Sequence, residues 1–151
     1  MKISLKLQEK PYVLQAKNPD GNIVMMDANP EIGGKGKGVR PTELLLMGIA
    51  GCSGIDILAI LQKQKQEVEG FDVTVEGQKE KVGTAQLFTK IHVHYMFSGQ
   101  VEAEKAQRAI ELSLGKYCSV SKTIEKVADI SFGFEVNGTQ HLSSKNVASL
   151  T

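Results

Sequence analysis

The stretch Arg40-Pro41-Thr42-Glu43-Leu44-Leu45-Leu46-Met47-Gly48-Ile49-Ala50-Gly51-Cys52-Ser53-Gly54-Ile55-Asp56 decides how this chain folds. Pro41 suits the first turn of a helix, where its missing N–H costs nothing, and a long apolar run follows. The pattern predicts a helix from about Pro41 to Gln66 whose polar end, Gln62-Lys63-Gln64-Lys65-Gln66, projects into solvent. Leu44 to Leu61 is nearly long and apolar enough to span a bilayer. Asp56, Ser53 and three glycines lie within it, and nothing else in the chain resembles a membrane protein. The expectation is a central helix buried on almost all sides, enclosed by sheet or by a second subunit.

Upstream, Lys2 to Leu7, Tyr12 to Ala16 and Asn22 to Asp27 read as an antiparallel meander, with Asn18-Pro19-Asp20-Gly21 as a turn. Glu31 to Gly38, with glycines at 33, 34, 36 and 38, reads as a mobile loop. Downstream, Phe71 to Lys81 and Phe88 to Phe97 alternate with period two and pair across Val82-Gly83-Thr84. Val101 to Leu114 returns to helical spacing and stops at Gly115; a short helix from about Ser119 to Val127 and a strand from Ile130 to Val136 follow. The polar tail 137–151 is expected to be weakly ordered unless a partner holds it. With no repeat and no linker, the chain reads as one α+β domain over 1–151, its helices set against antiparallel sheet.

A chain of 151 residues buries enough surface to fold without staples. Its formal charge of +1, from 18 basic and 17 acidic residues, supplies no field to hold nucleic acid or an anionic membrane. Small molecules or protein surfaces are the expected partners. Met1-Lys2-Ile3-Ser4-Leu5-Lys6 alternates like a strand rather than like a secretion signal, so the expectation is a cytoplasmic protein. There a permanent disulfide is not expected, while a transient catalytic one is allowed.

Cys52 and Cys118 are the only cysteines. Cys118 lies in Gly115-Lys116-Tyr117-Cys118-Ser119-Val120-Ser121, at a break before a helix, where backbone N–H groups favour thiolate over thiol. The 65 intervening residues contain no C-x-x-C or zinc-type pairing. A two-cysteine redox enzyme is the resulting expectation, set against two small hydrophobes that merely pack.

Other motifs carry less. His92-Val93-His94 places two imidazoles on one strand face, but a third ligand is hard to name, His141 being in the tail. Lys35 and Lys37 lack a phosphate-loop pattern around them. Ser119-Val120-Ser121-Lys122 matches an acylating motif without its companions, so Ser119 is read as a helix cap. Asp56, four residues after Cys52, shares its helix face; a carboxylate there would raise the thiol pKa, so Asp56 is read as structural. Asn137-Gly138-Thr139 is read as a turn rather than a glycosylation site.

The run Pro-x-Glu-Leu-Leu-Leu-x-Gly-x-x-x-Cys-x-x-x-Asp at 41–56, with Tyr-Cys-Ser-Val-Ser-Lys at 117–122, resembles the OsmC/Ohr family of osmotically inducible and organic hydroperoxide resistance proteins. The resemblance implies an intertwined homodimer in which antiparallel sheets enclose long central helices. It implies reduction of organic hydroperoxides, or of hydrogen peroxide, by a thiol mechanism; no cofactor and no metal are expected. Cys52 would be the peroxidatic cysteine and Cys118 the resolving one, with an external dithiol, a lipoyl protein or a thioredoxin-like protein, as reductant. The family pairs an N-terminal-loop arginine with a glutamate directly after the proline. Here Thr42 stands at that glutamate position and no arginine precedes Arg40. Glu43, nine residues before Cys52, falls half a turn around the helix from it and cannot simply replace that carboxylate. Arg40 is the candidate guanidinium, so the expected site comprises Cys52, Cys118, Arg40 and Glu43. The alternative reading is a non-catalytic dimer that binds a small ligand.

Overall fold

A computed structural model describes residues 1–150, which form two compact units, residues 1–45 and the remainder. The first unit is the expected meander: β1 (Ser4–Glu9), β2 (Val13–Lys17) and β3 (Ile23–Met26), all antiparallel in that order. Leu5 pairs with Ala16, Leu7 with Leu14, Ala16 with Val24 and Leu14 with Met26, so one face of this sheet is apolar. Leu5, Leu7 and Val24 on that face remain exposed.

The glycine-rich loop is pinned rather than free. The Asp27 carboxylate accepts the backbone N–H groups of Lys35 at 2.8 Å, Lys37 at 3.2 Å and Ala28 at 2.8 Å. Both lysine side chains close onto Glu9. Burial alone would raise the Asp27 pKa, but these N–H donors outweigh it and hold the carboxyl below its ordinary value.

α1 (Glu43–Lys63) begins at the end of the first unit and runs on through the second. There follow β4 (Glu67–Val82), β5 (Ala85–Gln100), α2 (Ala103–Leu112), α3 (Ser119–Ile124), β6 (Asp129–Val136) and β7 (Thr139–Asn146). The sheet order is β4-β5-β6-β7, giving two sheets and an α+β fold as expected. One pair departs from the antiparallel expectation: β5 and β6 run parallel, because α2 and α3 carry the chain back before β6 begins.

Alternate residues of β5, Ile91, Val93, Tyr95 and Phe97, enter the core with Ile49, Ile57 and Leu61 of α1 and with Ala106, Ala109 and Ile110 of α2. Gly54 lets Phe71 approach α1, since a Cβ there would sit 3.0 Å from Cε1 of that ring. α1 passes the length and hydropathy test for a membrane span, yet one face of it is part of this core. Burial on almost all sides does not hold within the single chain: Met47, Ile55 and Leu58 are 50, 72 and 38% exposed, because one sheet covers only one side of a helix.

Two expectations near the C-terminus are corrected. Gly115 does not stop the second helix; α2 widens into a π turn, Ser113–Tyr117, closed by Cys118 N–H donating to Ser113 O at 2.8 Å. Within the described residues the tail is ordered, as β7 and a short turn over 147–150; Thr151 lies outside them. Asn137 and Gly138 both adopt positive φ, 51° and 75°, making the tight turn that returns β7 along β6. The Asn137 amide also brackets Gly99, accepting from its N–H and donating to its carbonyl, both at 3.0 Å. Val147 is buried and Leu150 packs against the core.

Candidate active site

α1 presents Cys52 half-buried near its middle, and Asp56 one turn later on the same side. The second cysteine arrives by way of the π turn. Cys118 is fully buried and is itself the N-cap of α3, its sulfur accepting the Ser121 N–H at 3.3 Å. Ser119, expected as the cap, is instead the first helical residue, and Lys122 pairs with Glu125. The π turn's extra residue also aims Ser113 at α1, where its hydroxyl lies 3.2 Å from Asp56 Oδ2 and 3.3 Å from Ser53 O.

These placements bring Cys52 Sγ, Cys118 Sγ and a carboxylate oxygen of Asp56 within 4.8 Å of one another. Asp56 is thus held by a side-chain hydroxyl, as a structural reading allows, and it also faces both thiols. Sequence reasoning missed that convergence and missed Ser113 altogether; only the i,i+4 spacing of Cys52 and Asp56 hinted at it. Beneath the group, the Tyr95 hydroxyl donates to Ser53 Oγ at 2.8 Å, and Ser53 donates to Ile49 O at 2.7 Å. Burial, foremost, raises the Tyr95 pKa, so this phenol stays neutral.

The Cys118 thiol is pushed up to about 12, first by burial and then by its hydrogen bond to Cys52, against the pull of the α3 N–H groups of Ser121 and Val120. Helix-terminal N–H groups were expected to favour thiolate at Cys118; here desolvation wins and this thiol keeps its proton at neutral pH. A groove of about 560 Å³ opens at Asp56, with Ala59, Ile60, Leu112 and Tyr117 as largely apolar walls.

In the first unit, Arg40 and Glu43 form a pair of their own. Arg40 N–H donates to Glu43 Oε2 at 2.9 Å, the reach-back half of a capping box at the start of α1. The Arg40 guanidinium lies 3.5 Å from Glu43 Oε1 and is half exposed. The imidazoles at 92 and 94 face away from the core: His92 Nδ1 meets Ser131 Oγ at 2.8 Å and His94 lies 3.8 Å from Glu135. His141 stacks on Phe134, away from any shared metal geometry with them.

A family profile described as OsmC-like protein matches residues 34–132, a span that contains both cysteines, Asp56 and Ser113. Protein YhfA of Escherichia coli K12 is 36% identical over 117 residues, covering 77% of this chain and 84% of that protein. The crystal structure of a protein from Aquifex aeolicus VF5 superposes with a TM-score of 0.78 at 29% identity, over 90% of this chain and 95% of that one. An organic hydroperoxide resistance protein OsmC from Legionella pneumophila, described as a predicted redox protein, shares the fold at a TM-score of 0.68 and 20% identity, over 90% and 98% of the two chains. With the helix-borne and helix-capping cysteines converging in this α+β frame, the chain belongs to the OsmC-like family.

Proposed function

We propose that this protein is a cytoplasmic thiol peroxidase that reduces organic hydroperoxides through Cys52 and Cys118. The observation that carries the reading is the approach of the two sulfurs to within 4.8 Å across 65 intervening residues. Cys52, half-buried, is the sulfur a substrate reaches; Cys118, fully buried and protonated, is the one held in reserve. The Cys52 thiolate attacks the distal peroxide oxygen, forming an S–O bond as the O–O bond breaks and the alcohol departs with a proton. Cys118 then attacks the sulfenic sulfur; the S–S bond forms, and its thiol proton leaves with hydroxide as water. An external dithiol, lipoyl-bearing or thioredoxin-like, restores both thiols. The apolar walls of the groove at Asp56 favour an organic peroxide over a small polar one.

Arg40 is the candidate to stabilise charge on the peroxide, with Glu43 orienting its guanidinium. The uncovered apolar face of β1–β3 and the exposed Met47, Ile55 and Leu58 of α1 support a homodimer that covers them. A second reading, a non-catalytic ligand-binding dimer with packed cysteines, draws on the full burial of Cys118 and on Thr42 at the family's glutamate position. Substitution separates them. Cys52→Ser abolishes hydroperoxide turnover, Cys118→Ser leaves a sulfenic acid that an added thiol traps, and Arg40→Ala slows the reaction while the fold persists. Undiminished turnover in Cys52→Ser rules out the peroxidase.

A further inference from the structure

Cys52 and Asp56 stand one helical turn apart on α1, and the π turn delivers Cys118 against both. One ligand atom from each lies within 4.8 Å of the other two, although the two cysteines show no C-x-x-C or zinc-type spacing in the sequence. We propose that the reduced protein binds one thiophilic divalent cation, of the zinc or cadmium type, through Cys52 Sγ, Cys118 Sγ and a carboxylate oxygen of Asp56. The proposal stands on this convergence and not on the peroxidase reading.

Four physical arguments support it. Bond lengths of about 2.3 Å to sulfur and 2.0–2.2 Å to oxygen place these three ligand atoms about 3.5–3.8 Å apart in a tetrahedral site. The observed limit of 4.8 Å is within side-chain adjustment of that. Two thiolates select a soft or borderline cation over magnesium or calcium. Two thiolates and a carboxylate together carry a charge of −3, and a divalent cation among them offsets most of it. Ser113 already donates to Asp56 Oδ2 at 3.2 Å, as outer hydrogen bonds do to orient ligating carboxylates. Three protein ligands leave the fourth position to solvent, on the half-buried Cys52 and Asp56 side.

Binding displaces the proton of the buried Cys118 thiol, so affinity rises with pH. It also occupies both sulfurs, so the bound cation shields them from electrophiles. Formation of a Cys52–Cys118 disulfide removes two of three ligands and expels it.

Cobalt(II) titrated into the fully reduced protein tests this. The expected result is uptake of one equivalent with thiolate-to-cobalt charge-transfer absorption, displaced by zinc(II). Asp56→Asn weakens binding by at least about 100-fold, the upper end of what losing outer support alone costs, and Ser113→Ala by about tenfold. The wild-type protein oxidised to its disulfide takes up none, a comparison that needs no variant to fold. Absence of the one-equivalent thiolate signature in reduced wild type overturns the proposal, as does wild-type affinity in a folded Asp56→Asn. Hydroperoxide turnover, measured separately, bears only on the peroxidase reading.

Discussion

The Tyr95–Ser53 pair beneath the thiols supports a prediction whose asymmetry is informative. Tyr95 is fully buried and its hydroxyl donates to Ser53 Oγ at 2.8 Å, while Ser53 spends its own proton on Ile49 O at 2.7 Å. Tyr95→Phe removes a donor from an oxygen whose own proton remains satisfied, which costs about 1 kcal/mol. Ser53→Ala instead leaves the phenol buried with no acceptor, a desolvation loss of about 1–3 kcal/mol, offset by about 0.5 kcal/mol of improved helix propensity. The double variant, with neither oxygen, is expected to be no less stable than Ser53→Ala alone. Urea unfolding at fixed protein concentration measures this, with unchanged slopes as the check that only stability has moved. In thermal terms each kcal/mol corresponds to roughly 2–4 °C for a chain of this size. Strictly additive losses in the double variant would refute the reasoning, because they would show that the two hydroxyls do not depend on each other.

Two further predictions follow from the first unit and from α1. Asp27 has a folded pKa held below its ordinary 3.8, so the stability it gives the glycine-rich loop is fully present above pH 3.8 and is lost as pH falls below it. Hydrogen exchange at the Lys35 and Lys37 amides reads this directly; loss of protection already above pH 3.8 contradicts it. Ile55→Glu, at a position 72% exposed in the single chain, changes monomer stability by no more than about 0.5 kcal/mol. It should nevertheless dissociate a dimer that covers α1, as sedimentation would detect; a variant that stays fully dimeric argues that Ile55 lies outside the interface.

The strands were readable where local pattern decides them. Ile91, Val93, Tyr95 and Phe97 alternate with polar residues, and the structure buries that set. The apolar run after Pro41 likewise announced α1, and the motif around Cys52 and Cys118 announced the family. What was hidden depends on non-local geometry. Gly115 reads as a helix stop, yet the preceding carbonyls are satisfied by a π turn whose extra residue turns Ser113 toward Asp56 and seats Cys118 as a cap. β7 reads as part of a weakly ordered tail because an edge strand needs little apolar content; its order comes from backbone pairing to β6 and from Asn137 and Gly138 at positive φ. The loop at 33–38 reads as mobile because glycine count says nothing about Asp27, a buried carboxylate that gathers its N–H groups.

The central claim is that Cys52 and Cys118 form a working redox pair. Exposing the fully reduced protein to one equivalent of an organic hydroperoxide, then recording intact mass and a non-reducing peptide map, tests it most directly. The account predicts rapid loss of two hydrogens with a Cys52–Cys118 crosslink. An unchanged mass with both thiols still free would contradict it.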